Sequence, residues 1–174
     1  MALTRVRVVD VATSILREFG LGDLSMRRLA RELDVAPGAI YWHIANKQVL
    51  LAAVAERLLA DVPLGEQGAD DPAAALRAHV LAVRDALLPV PDGADVVAIA
   101  YTLDPDSVPA LREIGVLLKE AGAQDVAAST DLVVHHILGS VAATQVRAAS
   151  PEEAVSSPDR FEPALDILLG LSCG

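Results

Sequence analysis

The sequence is poor in cysteine, in aromatic residues and in positive charge. Cys173 is the single cysteine among 174 residues, which excludes an intrachain disulfide framework and a paired-cysteine metal site and suits a reducing, cytoplasmic location. Aromatic side chains make up 3% of the chain, whereas hydrophobic residues, mostly Ala, Leu and Val, make up 53%. Aliphatic residues of this kind favour helices and fill helical cores. The composition therefore predicts an all-α protein.

Long apolar runs and catalytic signatures are also missing. No apolar stretch reaches the length of a membrane span, and the N-terminus turns charged before a signal-like segment forms. We therefore expect no membrane partner. The chain has no GxSxG elbow, no glycine-rich phosphate loop and no HExxH pair, which argues against an enzyme and against a bound cofactor.

Two histidines, His135 and His136, stand side by side. Neighbouring residues on a helix point about 100° apart, so this pair cannot chelate one metal ion together. A site that combines His79 with His135 requires coordinates to test. We therefore predict no metal site from the sequence.

The net charge of −10 is distributed unevenly along the chain. Residues 1–60 hold eight Lys or Arg against six Asp or Glu, a balance of +2, and the remainder carries −12. Only the N-terminal third can therefore approach a polyphosphate, because like charges repel within a Debye length of about 8–10 Å. The acidic remainder either faces away from nucleic acid or serves ordinary solubility, and both interpretations stay open.

Helical spacing marks the outer helices of the N-terminal third. Apolar residues recur three or four positions apart before Gly20 ends the first helix. They are Val8, Ala12, Ile15, Leu16 and Phe19. Asn46 can cap a fourth helix from Lys47 to about Ala60, which ends before Pro63 and a Gly-rich acidic loop. We place a first domain at residues 1–60 and a second at 61–174.

Two short helices joined by a three-residue turn are predicted between these outer ones. Ser25 can cap a helix that ends near Leu33, and Asp34 follows where the turn needs a left-handed residue. Pro37 suits the first position of the next helix, which extends to about His43. Such a pair, over residues 25–44, is typical of a helix-turn-helix motif, whose second helix enters the major groove of DNA.

Five more helices are predicted in the C-terminal part, which gives about nine in all. Asp, Pro and Gly mark their ends, and the polar segment 150–159 reads as a linker before the last one. The predicted helices span residues 71–88, 92–103, 107–121, 125–148 and 160–171.

The third helix carries two of the five aromatic residues, Tyr41 and Trp42, side by side. Because neighbours on a helix diverge, both cannot face the core, and at least one should be displayed. The pair indicates a recognition surface. The alternative is a Tyr and a Trp that pack around the rim of a small domain.

The stretch LSMRRLARELDVAPGAIYWHIANKQVLLAAV resembles the DNA-binding domain of TetR-family regulators, and its YWHxxNK run is most similar to tetracycline repressors. The resemblance covers residues 4 to about 60. Beyond them it extends only to helical character and length. It implies an N-terminal three-helix DNA-binding domain followed by a helical domain for ligand binding and dimerisation.

The resemblance implies DNA contacts for a defined set of side chains. Arg27 matches a base contact, worth about 1–3 kcal/mol of discrimination if bidentate to guanine. Arg28 is a phosphate neighbour or a surface charge. The matched phosphate and groove-wall contacts are Ser25, Tyr41, Trp42, His43 and Lys47.

The front of the third helix departs from tetracycline repressors. Pro37, Gly38 and Ala39 stand where those proteins carry Gln, Pro and Thr. Ala39 can contact a thymine methyl, and Pro37 and Gly38 permit close backbone approach. We therefore expect apolar, weaker readout and an operator that the family does not specify.

The resemblance also implies that the last two helices pair with a second copy, which places two readers about 34–36 Å apart on a palindromic operator. Candidate dimer residues are Leu132, Ile137, Gly139, Ala142, Ala143, Leu165, Leu168, Leu169 and Leu171. The implied effector is a small, largely apolar molecule held among the helices of the second domain. Candidate polar contacts to it are His79, Tyr101, His135, His136 and Gln145.

The sequence thus predicts a homodimeric transcription repressor that a small effector releases from operator DNA. The alternative is a helical adaptor that binds another protein and uses its third helix as a packed strut. Salt-dependent DNA binding distinguishes the two classes.

Overall fold

The computed structural model describes residues 2–65, 70–149 and 160–170, and every regular element in these ranges is helical. The all-α prediction is confirmed. The described α-helices are α1 Arg5–Phe19, α2 Met26–Glu32, α3 Pro37–Tyr41, α4 Lys47–Leu58, α5 Pro72–Leu87, α6 Gly93–Leu103, α7 Pro109–Glu120, α8 Val126–Ala149 and α9 Phe161–Leu168. A short 3₁₀ turn, Pro105–Ser107, joins α6 to α7; the sequence analysis missed it.

Side-chain caps fix several helix starts where the sequence predicts them. Asn46 Oδ1 accepts a hydrogen bond from the Val49 N–H at 2.9 Å and begins α4. Asp71 begins α5 and Asp125 begins α8 in the same way, each with 3.0 Å between acceptor and backbone nitrogen. The third and ninth helices are shorter than predicted and end at Tyr41 and Leu168. The linker 150–159, Leu171 and Cys173 lie outside the described residues.

The apolar core runs without interruption from the N-terminal helices into the C-terminal ones. Helix α4 lies between α1 on one side and α6 on the other. Its fully buried Val54 and the equally buried Val97 of α6 both belong to this core. Helix α4 therefore connects the packing of α6 to that of the N-terminal helices. The division of domains at residue 60 stays a prediction.

Helix α8 differs from the sequence expectation about membranes. By length and composition alone, Val126–Ala149 passes the test for a membrane span, with a mean hydropathy of 1.3 and 28% of the window buried. The expectation that no apolar stretch reaches that length is therefore wrong. Part of α8 packs against α5, α6, α7 and α9 of the same chain, as a core helix does. Its exposed face is considered below.

Candidate nucleic-acid interface and sensor cavity

Backbone geometry fixes the angle between α2 and α3. Ser25 Oγ accepts a hydrogen bond from the Arg28 N–H at 3.1 Å and caps α2. At the other end, Asp34 has the predicted left-handed backbone, with φ of 53°. The Val35 N–H reaches the carbonyl of Ala30 at 3.0 Å, and the Asp34 N–H reaches that of Arg31 at 3.2 Å. These two bonds form a Schellman motif with Asp in the usual place of Gly.

Helix α3 has one fully buried residue and is exposed over most of its remaining surface. Ile40 is fully buried, whereas Tyr41 is 51% and Trp42 is 89% exposed. Both aromatic side chains are thus exposed, whereas the helical spacing requires exposure of only one of them. Pro37 and Gly38 are exposed too, and an added Cβ at Gly38 would meet no atom within 4 Å. Packing within the chain therefore does not require glycine at position 38.

Three further predicted residues lie on or next to this surface. Lys47, in the first turn of α4, is exposed, and His43 and Ala39 are half-buried. Lys47 forms no ion pair within the described part of the chain, so its ammonium group adds to the positive end of the α4 dipole.

Arg27 and Arg28 have different surroundings. Arg27 is exposed and has no hydrogen-bond partner in the described ranges. Arg28 donates from Nη1 to Asp23 Oδ1 at 2.6 Å, its guanidinium lies 4.0 Å from the Phe19 ring centroid, and its side chain is only 19% exposed. The Arg28 guanidinium thus joins α2 to the end of α1, and a phosphate contact of Arg28 stays one of its two predicted alternatives.

The candidate effector contacts also divide by their surroundings. His79 is buried, and its Nδ1 and Nε2 lie 3.0 and 2.7 Å from the carbonyl oxygens of Pro63 and Ala110. Gln145 Nε2 donates to the carbonyl of Val90 at 2.7 Å, in the turn between α5 and α6. Polar atoms of both side chains therefore lie within hydrogen-bond distance of backbone carbonyl oxygens, and their contact with an effector stays a prediction.

His136 has a structural partner as well. Its ring stacks on Phe161 at 4.7 Å between centroids, and its Nε2 lies 3.2 Å from the Phe161 carbonyl. The Arg84 guanidinium lies 4.6 Å from the same ring centroid. The Phe161 ring thus interacts with both side chains and holds the start of α9 against α5 and α8, a role that the sequence pattern does not indicate.

In the described residues no group of three or more His, Cys, Asp or Glu could hold a metal ion.

Tyr101 is the predicted effector contact that lines a cavity. Its hydroxyl donates to Asp131 Oδ1 at 2.6 Å and its ring meets His135 edge-on, with 6.3 Å between centroids. Burial, and then the hydrogen bond and charge of Asp131, raise the pKa of the Tyr101 hydroxyl well above its ordinary value. The adjoining cavity of about 500 Å³ lies among α6, α7 and α8. Its apolar wall includes Leu111, Val116 and Ala127.

Helix α8 presents a second exposed surface, the α8 stripe. It consists of Leu132, His135, Gly139, Ala143 and Val146, all exposed and spaced by three or four residues. Leu132 is 53% and Val146 is 69% exposed. Two predicted dimer residues, Ile137 and Leu165, are fully buried in the chain's own core, so the sequence placed them on the wrong face.

One polar contact between the N-terminal and C-terminal parts was not foreseen. Asp92 Oδ2, at the start of α6, accepts a hydrogen bond from the Leu21 N–H at 2.8 Å. The two residues are 71 positions apart, which is why local patterns do not reveal the pair. Two features of the sequence mark these positions: Gly20 directly precedes Leu21, and Asp92 lies in the PVPDG turn.

The N-terminal helices match a known family of regulators. The family model described as "Bacterial regulatory proteins, tetR family" matches residues 8–54. The chain is 31% identical over 168 residues to the class D tetracycline repressor of Escherichia coli, and the alignment covers 94% of this chain and 76% of that repressor.

Solved structures give the same picture across the whole chain. Mycobacterium smegmatis BioQ has a TM-score of 0.83 and 35% identity, with 97% of each chain covered, and BioQ has also been solved with its natural double-stranded DNA operator, at a TM-score of 0.81. Streptomyces coelicolor ActR, solved with (S)-DNPA, has a TM-score of 0.83 and 26% identity, with 98% of this chain and 97% of that one covered. The chain is therefore a member of the TetR family of bacterial regulatory proteins, a DNA-binding transcription regulator.

Proposed function

We propose that the protein is a cytoplasmic homodimeric repressor that binds a palindromic operator and leaves it when a small, largely apolar effector binds. It acts without catalysis. The observation that carries this proposal is the surface at α3, which exposes Tyr41 and Trp42. Arg27 on α2 and Lys47 on α4 are exposed as well, and neither forms an ion pair within the described part of the chain. A side chain as large as Trp42 at 89% exposure is costly in water and useful against a partner.

On this surface we assign two kinds of contact. Arg27 reads a base edge, and Ser25, Tyr41, Trp42, His43 and Lys47 fix the position of the reader on the phosphate backbone. Gly38 is free of packing constraints, so its lack of a side chain is explained by close approach of DNA to the start of α3, with Pro37 and Ala39 beside it. Readout by these three residues is through shape and methyl contact.

The effector is proposed to occupy the cavity beside Tyr101. The lining combines aliphatic side chains, such as Leu111 and Val116, with polar ones, and the Tyr101–Asp131 pair supplies a fixed polar group at one side. Arg112 and Lys119, exposed on α7, stand at the same cavity. A molecule with an apolar body and a polar end that bonds to the Tyr101–Asp131 pair matches this lining, and a cavity of about 500 Å³ is of ligand size.

Dimerisation is proposed through the α8 stripe and α9. The stripe is apolar apart from His135, and an added Cβ at Gly139 would meet no atom of the chain within 4 Å. Ile167 of α9 is 71% exposed. An apolar helical surface of this length is stabilised by a second copy, and the two-fold symmetry of such a dimer matches a palindrome.

The test begins with selection of operator duplexes in vitro by the purified protein. Fluorescence anisotropy then measures the dissociation constant of the selected duplex against a salt series, where phosphate contacts give a negative slope of log affinity against log salt. A small-molecule library is screened for compounds that release the duplex. Absence of any sequence-selective, salt-dependent binding contradicts the proposal.

A cavity variant tests the effector site. We expect Val116→Trp, which fills the cavity beside Tyr101, to keep operator affinity and to lose release by the compounds found in the screen. Glu120→Trp, on the same helix and outside the cavity lining, is the matched control. Equal release from both variants contradicts the assignment of the cavity.

A further inference from the structure

The contact between Asp92 and Leu21 joins the sensor to the reader at a specific point. Leu21 lies in the turn between α1 and α2, four residues before the Ser25 cap that begins the reader. Asp92 precedes α6, whose last turn carries Tyr101. One helix of 11 residues therefore connects the cavity lining to the turn that leads into α2.

The Asp92 side chain bonds to Leu21 and does not cap its own helix. It occupies the N-cap position of α6, where an Asp carboxylate ordinarily accepts from the helix's own N–H groups. Here the side chain makes no cap hydrogen bond. The residue also has a left-handed backbone, with φ of 55°, a conformation that Asp tolerates better than most residues. The carboxylate thus forgoes the usual cap bond and accepts from the Leu21 N–H instead.

Gly20 is fitted to the same contact from the opposite side. It is buried, its φ is +78°, and an added Cβ would lie 2.7 Å from Asp92 Oδ2. A side chain there cannot be accommodated unless the carboxylate moves. The absence of a side chain at position 20 therefore leaves the space that the Asp92 carboxylate occupies.

We propose that the Asp92 carboxylate is a positioning residue that fixes the orientation of the reader relative to the helical domain. In the dimer it holds the two readers at the separation that one operator spacing requires. The inference rests on the proposed function, since it concerns how that DNA-binding surface is placed. It adds a contact at the α1–α2 turn to the packing of α6 on α4.

The variant pair Asp92→Gly and Asp92→Asn isolates the carboxylate oxygen. Glycine adopts the left-handed backbone without strain and removes the acceptor, so it separates loss of the contact from backbone effects. Asparagine tolerates the same backbone and keeps a carbonyl oxygen that can accept from Leu21. Gly20→Ala is a third variant, which displaces the carboxylate from the other side and also strains the backbone, because Gly20 has φ of +78°.

The readout is half-site spacing on the selected operator, measured by anisotropy with the full-length dimer. We expect Asp92→Gly and Gly20→Ala to bind the palindrome about tenfold more weakly, the scale of one charge-assisted hydrogen bond. Both should bind a single half-site as the wild type does and lose its discrimination against an operator with one extra base pair between half-sites. Asp92→Asn should retain most of that discrimination.

Other outcomes separate this inference from the proposed function. Wild-type protein without operator binding would contradict the proposed function itself. If Asp92→Gly discriminates between operator spacings as fully as the wild type does, the inference about Asp92 is overturned. The proposed function is unaffected by that result. An equal loss of half-site and palindrome binding in Asp92→Gly, with reduced helicity by circular dichroism, would assign Asp92 a role in folding only and would overturn the inference too.

Discussion

The Tyr101 hydroxyl donates to Asp131 Oδ1 at 2.6 Å and joins α6 to α8 beside the cavity that we propose for the effector. The phenol is buried, and the neighbouring carboxylate accepts its hydrogen bond and disfavours the negative charge of a phenolate. Burial comes first among the causes that raise the pKa of Tyr101, followed by the hydrogen bond and charge of Asp131. The phenol of Tyr101 is therefore neutral at physiological pH.

A titration should show the raised pKa directly. Tyr41 and Tyr101 are the two tyrosines of the chain, so Tyr41→Phe leaves Tyr101 as the sole source of tyrosinate absorbance at 295 nm. We expect that absorbance to appear well above pH 10, the ordinary value for a phenol. Because the folded-state pKa is raised, the stability from the neutral phenol is present below pH 10 and is lost as pH rises above it.

Tyr101→Phe is the control for this titration. It removes the hydroxyl that donates to Asp131 and leaves Tyr41 as the only tyrosine that can absorb at 295 nm. In Tyr41→Phe, the midpoint should fall to the ordinary value when urea unfolds the chain. A midpoint near pH 10 in the folded Tyr41→Phe variant would contradict the buried pair.

Arg27 and Lys47 are expected to differ in the kind of binding they support. Lys47→Ala should weaken binding to all duplexes similarly and reduce the salt slope by about one unit, because one phosphate contact is lost. Arg27→Ala should weaken binding to the selected operator by about 1–3 kcal/mol and relax preference at one base position. Competition between operator and random duplexes at several salt concentrations distinguishes the two results. The same loss of preference in both variants would contradict the assignment.

Arg28 should act on stability instead. Its guanidinium bonds to Asp23 and lies over Phe19, so Arg28→Ala removes a link between α1 and α2. We expect the free energy of unfolding to fall by about 1–2 kcal/mol and the preferred operator sequence to stay unchanged. Thermal melts and repeated operator selection measure the two effects. Arg31→Ala, exposed and on the same helix, is the matched control; a changed operator preference in Arg28→Ala would favour the DNA contact predicted from sequence.

Sequence reasoning succeeded where a feature depends on neighbours along the chain. Spacing of apolar residues gave the helices, and the Asn46 cap and the left-handed Asp34 follow from local backbone chemistry. It failed where the partner is distant. Nothing in the sequence around His79 indicates that its ring nitrogens lie within hydrogen-bond distance of carbonyl oxygens of two other segments. The same holds for Gln145, whose partner at Val90 is 55 residues away, because tertiary packing decides what a polar side chain meets.

The α8 stripe should carry the dimer, and a matched pair of leucines tests this. Leu132 is 53% exposed on the stripe, and Leu103 is 55% exposed at the end of α6. Leu132→Glu places two charges near each other in the proposed interface, where they are desolvated without a partner. We expect its dimer dissociation constant to rise at least about tenfold in sedimentation velocity, the effect of about 1.4 kcal/mol.

Operator affinity should fall with the dimer, because a monomer engages one half-site of the palindrome and loses the effective concentration that links the two readers. The half-site affinity of Leu132→Glu should remain that of the wild type, since α8 is not part of the reader. Leu103→Glu, with the same change in charge at equal exposure, should leave the dimer intact. A Leu132→Glu protein that sediments as the wild type does would show that the α8 stripe is not the dimer interface, and the palindrome would then lose its structural basis.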